Sequence, residues 1–372
     1  MDVCMKYIAF YLPQYHPVKE NNEWWGEGFT EWFNVSKSKP RFKGHNQPHI
    51  PTTMGFYDLR VPETRIRQAE LAKEYGIDGF CYYHYWFNGH LLLEKPLEAV
   101  LKDKEPDLPF CICWANENWT RAWDGMEREV LIKQDYTEQD ALEHFEYLLP
   151  FFKDDRYIKV DGKPVFLLYR YDHIPDIDNF IHTWNDKAKE NGLESIYFIC
   201  VKNGFVTSGY EEIFKHNFDA VVDFQPNRID FPSVKTKEQL LVDTARSILP
   251  DALFQYLKRN ASAVNKISYK HMVDNIVESY AIKPQKVIPA VFPSWDNSAR
   301  RATPTVIQND EPGCYGYWLD EASKFSASNG LSESFVFINA WNEWAEGCHL
   351  EPDLKNGNAF LEQTKKVKNK HE

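Results

Sequence analysis

Eight short apolar runs, each too short for a core helix, recur along this 372-residue chain. They are YIAFYL (7–12), GFCYY (79–83), FCICW (110–114), VFLLY (165–169), YFICV (197–201), AVVDF (220–224), VIPAVF (287–292) and FVFI (335–338). A strand with no polar face must be covered on both faces, which is the condition of a parallel sheet wrapped by helices. Helical patterns fill the gaps. Residues 62–75 carry Ile66, Ala69, Ala72 and Tyr75 at helical spacing and stop before Gly76. Residues 137–152 open on Thr137 and Asp140 as a cap, with Pro150 expected to break the end, and residues 176–191 stop before Gly192. Segments 95–104, 210–217 and 316–328 read as further helices, and 233–283 as a longer helical excursion before the seventh strand. The alternation predicts the α/β class: one (β/α)8 TIM barrel with elongated βα loops, spanning 1–372 as a single domain. An open doubly wound sheet would usually place a Gly-rich phosphate turn after its first strand, where this chain has LPQYHP. No low-complexity linker or 20–50-residue repeat interrupts the pattern.

In a barrel, the residues that follow the strands build the active face. The first strand is followed by Gln14, Tyr15 and His16, then by a long loop with Trp24, Trp25, Glu31 and Trp32. The second ends at Tyr83 and leads into His84, Tyr85, Trp86 and Asn88. The third ends at Trp114 and leads into Asn116, Glu117, Asn118 and Trp119. Arg170, Tyr171 and Asp172 follow the fourth, Lys202 and Asn203 the fifth, and Gln225 and Asn227 the sixth. The seventh is followed by Trp295, Asp296, Asn297 and Arg300, and the eighth by Trp341, Asn342, Glu343, Trp344 and Glu346. Aromatics make up 15% of the chain, with 12 Trp, and many sit beside Asn, Asp, Glu and His. Flat rings for the apolar face of a pyranose, with short polar groups for its hydroxyls, make a sugar-binding cleft.

Glu343 and Glu346 stand three apart among tryptophans. Two carboxylates are the minimal machinery for cleaving a glycosidic bond, one as acid and one as base or nucleophile. Trp341 and Trp344 are expected to exclude water and lift one carboxyl's pKa. Other chemistries lack their motifs: there is no G-x-S-x-G elbow, Walker loop or H-E-x-x-H. His45 and His49 are four apart, but Pro48 between them is incompatible with a helix presenting both to a metal. Asp176-Ile177-Asp178 opens a helix, where capping is the simpler role. No metal or cofactor is therefore expected. The net charge of −12 argues against a nucleic-acid or anionic-membrane partner and leaves an oligo- or polysaccharide as the expected one. Seven irregularly spaced cysteines, several in apolar runs, fit a reducing compartment. With neither a signal peptide nor a membrane span in view, a cytoplasmic location is expected.

The motifs AFYLPQYHP, WWGEGFTEW, GIDGFCYYHYWFNG, WANENWTRAWDG and WNEWAEG…LEPD together resemble those of the WbsX-type proteins found with bacterial surface-polysaccharide genes. WbsX-type proteins are related to the endo-α-mannosidases of glycoside hydrolase family 99. The resemblance implies a metal-free (β/α)8 barrel and a retaining, endo-acting α-glycoside hydrolase. It implies that Glu346 is the general acid/base and Glu343 the base towards the substrate's 2-hydroxyl, giving a 1,2-anhydro sugar. SWDNSARR resembles the family's seventh-strand loop, which makes Asp296, Asn297 and Arg300 or Arg301 substrate contacts. It also points to Tyr11 and Tyr171 as active-site tyrosines. The remaining expected sugar contacts are His16, Tyr83, His84, Trp86, Trp114, Asn116, Glu117, Trp119, Trp295, Trp341, Asn342 and Trp344. The alternatives are a glycosyltransferase or assembly protein of bacterial surface-polysaccharide biosynthesis, and a non-catalytic glycan-binding barrel.

Overall fold

The computed structural model describes residues 5–121, 126–227, 264–301 and 303–372. All eight apolar runs are strands: β1 (Met5–Tyr11), β2 (Gly79–Phe87), β3 (Phe110–Trp114), β4 (Lys163–Leu168), β5 (Tyr197–Lys202), β6 (Ala220–Asp223), β7 (Val287–Val291) and β8 (Ser334–Ile338). Each pairs in parallel with its successor, and β8 pairs with β1 in the register Met5↔Ser334 to Ala9↔Ile338, so the sheet closes. The fold is the expected (β/α)8 barrel.

Strand alternation divides the core into two layers. Phe10 points into the barrel, where its ring lies 5.4 Å from Tyr83, 5.1 Å from Phe224 and 5.4 Å from Phe337. Tyr7 and Tyr11, of the opposite parity, point out towards the helices. The Tyr7 hydroxyl pairs with Ser323, and that of Tyr11 donates to Gln68 Oε1 at 2.7 Å.

The outer layer holds α1 (Pro62–Glu74), α2 (Lys95–Asp103), α3 (Glu138–Phe152), α4 (Ile177–Glu190), α5 (Tyr210–Ile213), α6 (Tyr269–Ser279), α7 (Pro312–Ala327) and α8 (Ala359–His371). The caps read from sequence are in place. Thr137 accepts from the Asp140 amide, and Asp176 from that of Asn179. Pro150 does not end α3, because it sits in the last turn with its ring exposed, and the helix runs on to Phe152. α5 is a single turn, shorter than the 210–217 expected. Of the 233–283 excursion, residues 233–263 lie outside the described residues, and α6 follows them. No described helix is long and apolar enough to cross a membrane.

Candidate active site

Three loops converge over the C-terminal ends of the strands. The β1 loop carries a short helix, Glu31–Lys37, whose first residue is fully buried. The β7 loop turns at Asn297–Ala299, with Asp296 Oδ1 accepting from the Ser298 amide. The β8 loop pairs Asn342–Glu343 with Cys348–His349 around a turn at Trp344–Glu346. Gly347 closes that turn at φ 57°, and a Cβ there would sit 2.9 Å from that of Asp296, so a side chain fits neither the backbone nor the space. This close approach lets the Asp296 amide donate to the Glu346 carbonyl at 2.7 Å, and Ser294 Oγ to that of Gly347 at 2.6 Å. The β7 and β8 loops are thereby locked together.

Arg300 stands at the convergence. Its Nε donates to Glu31 Oε1 at 2.8 Å, its Nη2 lies 3.1 Å from Glu343 Oε2, and its Nη1 lies 3.0 Å from Glu346 Oε1. One guanidinium therefore bridges three carboxylates. The Glu31 and Glu343 side chains are 0% and 9% exposed, and that of Glu346 is 23%. Burial pushes the Glu343 carboxyl up to about 8, Arg300 opposes the rise, and the charges of Glu346 and Glu31 add to it. One cation does not balance three clustered carboxylates, and near neutral pH burial keeps a proton on Glu343. A carboxyl pair that shares one proton is what acid–base chemistry at a glycosidic bond requires.

Glu343 and Glu346 face a cavity of about 300 Å³, walled by Tyr83, Tyr85, Tyr169, Phe205, Phe224 and Trp295. Asn297, Arg301 and Glu117 supply polar edges, and Glu117 is held by Arg170 Nη1 at 2.6 Å. Of the residues singled out in the sequence, Glu343, Glu346, Tyr83, Tyr85, Glu117, Asn203, Trp295, Asn297, Arg300 and Arg301 line this cavity.

The others lie off it. Tyr11 faces α1. His84 and Trp86 have the parity opposite to Tyr83 and point at α3. His84 Nε2 lies 2.9 Å from His144 Nε2, and Trp86 donates to Asp140 at 2.7 Å. Burial lowers the His84 pKa to about 3, so this pair is neutral. Trp114 is buried and donates to the Trp86 carbonyl, and Asn116 cross-braces the Arg170 backbone. His16 is fully buried. Trp119 packs on Tyr85 and Trp24, and Tyr171 on Phe218. Asp296 accepts from His45 and Gln47 behind the β7 loop.

Trp341 and Trp344, expected to desolvate the glutamate pair, serve a different carboxylate. Glu351, 1% exposed, accepts at Oε1 from Trp341 Nε1 (3.1 Å) and Gln68 (2.7 Å), and at Oε2 from Trp344 Nε1 and Tyr57 (both 2.7 Å). Asn342 exchanges hydrogen bonds with the backbone of Leu12. These three residues fasten the β8 loop to β1 and α1. Sequence reasoning gave no role to Glu31, Tyr85 or Tyr169. The signal that finds the two tyrosines is strand parity with Tyr83 and with the cavity-facing ends of the runs.

A model of the family described as "Glycosyltransferase WbsX" matches residues 7–364. The WxcX protein of Xanthomonas campestris pv. campestris is 38% identical over 362 residues, 97% of this chain, and a second strain's WxcX matches to the same extent. This chain spans 49% of those proteins' length. Among solved structures, the family 99 endo-α-mannosidase of Bacteroides thetaiotaomicron aligns at a TM-score of 0.55 and 15% identity, covering 98% of this chain and 97% of that one. A glycoside hydrolase-like protein aligns at 0.56 and 13%, covering 98% and 94%. At such identities the structural likeness is one of fold.

Proposed function

The chain belongs to the WbsX family, and on that footing we propose that it is a carbohydrate-active enzyme, a retaining endo-acting α-glycoside hydrolase of the family 99 kind. The observation that carries this reading is the Arg300-bridged pair Glu343 and Glu346 at the floor of an aromatic-walled cleft. In this reading the pair's one proton stands on Glu346, the more exposed of the two, when substrate is bound; Glu346 gives it to the leaving oxygen and then activates the incoming water. Glu343 takes the proton of the sugar's 2-hydroxyl, so that this oxygen displaces the leaving group from C1 and a 1,2-anhydro sugar forms. Water then opens that ring with net retention. The tyrosine and tryptophan walls stack on the sugar's apolar face, and Asn297 and Glu117 bind hydroxyls.

A second reading is transfer from an activated donor during polysaccharide assembly, favoured by the family's description. One screen separates them. Purified protein is incubated with α-linked mannans and bacterial surface glycans without nucleotide sugar, beside the Glu343→Gln/Glu346→Gln double variant. Oligosaccharide release by wild type alone is the expected result. No release, together with thermal stabilisation by a nucleotide sugar, would overturn hydrolysis in favour of transfer.

A further inference from the structure

We propose that His49, His349 and Asp353 form a binding site for one first-row divalent metal ion, immediately behind the β8 loop. The three are buried, at 7%, 3% and 3% exposure, and one ligand atom from each lies within 4.8 Å of the others. His349 Nδ1 donates to the Glu351 carbonyl at 2.9 Å, which leaves the lone pair on Nε2. That lone pair faces His49 Nδ1, 2.9 Å away, and Asp353 Oδ2 lies 3.9 Å from His349 Nε2. Two ligands at about 2.0–2.1 Å from one ion stand roughly 2.9–3.3 Å apart, so the imidazoles already have the spacing of neighbouring ligands. A ring N–H given to a backbone carbonyl is the usual outer support of a metal-bound histidine.

The donors are held in place. Trp344 stacks on His349 with ring centroids 3.7 Å apart and planes at 16°. Pro51 and Asp353 pair as antiparallel neighbours, Thr52 donates to the Pro352 carbonyl, and Leu354 to that of Ile50. The Asn356 amide orients the Asp353 carboxylate at 2.5 Å. A separate cavity of about 410 Å³, lined by His49, Asp310 and Lys355, reaches the cluster at His49. Lys355, at the mouth of this cavity, is paired with Asp310 at 3.0 Å. Two imidazoles and one carboxylate suit zinc or its neighbours rather than magnesium or calcium. The ion would tie residues 49–52 to the β8 loop beside Gly347, whose Cβ position lies 3.1 Å from His49 Cε1.

The test does not depend on activity. The whole chain is stripped with chelator and titrated with Co²⁺, read by its visible d–d absorption, and with Zn²⁺ by calorimetry and thermal melts. The expected result is one equivalent bound with a raised Tm. His49→Gln and Asp353→Asn should each weaken binding beyond the 10–100-fold typical of losing an outer-shell partner. If His49→Gln does not fold, Asp353→Asn decides alone. No d–d band and no Tm shift in wild type would overturn the site and leave a plain histidine–histidine hydrogen bond. Titrations of the folded variants that match wild type would overturn it equally.

Discussion

Glu343→Gln should stabilise the protein, and only above mildly acidic pH. The substitution keeps the shape of the side chain and removes one negative charge from a cluster of three carboxylates around Arg300. Burial lifts the Glu343 carboxyl from 4.5 to about 8. Below pH 4.5 the residue is protonated in both folded and unfolded chains, and glutamine mimics it. Between pH 4.5 and 8 the unfolded chain releases the proton while the folded one retains it, so wild type loses stability that the variant keeps. Above pH 8 the difference is complete, on the order of 3–5 kcal/mol. The assay is denaturant or thermal unfolding of both proteins at pH 4.5 and pH 8.5. The variant should gain several degrees of Tm at the higher pH and almost none at the lower. A variant destabilised equally at both pH values would refute the reasoning, because it would mean that Glu343 is ionised and held by Arg300 throughout.

The same proton governs catalysis. The reaction needs one proton on the pair, so kcat/KM should fall above pH 8 as the cluster loses it, and a rate still rising from pH 8 to 9 would show that both carboxyls act ionised. Glu346→Gln should lose on the order of 10²–10⁴-fold on native glycans, yet retain activity on aryl glycosides whose leaving group needs no proton; equal losses on both would remove it as the acid. Trp344→Phe takes one donor from buried Glu351 and should cost about 1–3 kcal/mol of stability in chemical unfolding, whereas a purely sugar-stacking tryptophan would leave stability unchanged. Arg300→Met should leave an excess of buried carboxylate and cost about 3–5 kcal/mol at pH 8, with a smaller loss at pH 5; a pH-independent loss would show that Arg300 acts by packing alone.

The barrel was legible because its strands are buried on both faces, and a doubly apolar run of five or six residues has few other uses. The glutamate pair was legible because it follows the last of those runs. What a sequence does not carry is the phase of each strand relative to the barrel axis, and a one-residue shift of phase exchanges inside for outside. His84 and Trp86 face α3 while Tyr83 and Tyr85 line the cavity. Trp114 is core while Ala115 is wall, and Tyr169 rather than Tyr171 reaches the cleft. Trp341 and Trp344 belong to Glu351, a partner set by the fold of the β8 loop and not by adjacency to Glu343. Contacts made across hundreds of residues were invisible for the same reason. Glu31 meets Arg300 269 positions away, and His49 meets His349 across 300. Local pattern thus determined which segments are strands and which loop carries the acids. Closure of the sheet alone decided which side chains the cleft receives, because only closure brings the β1, β7 and β8 loops over one axis.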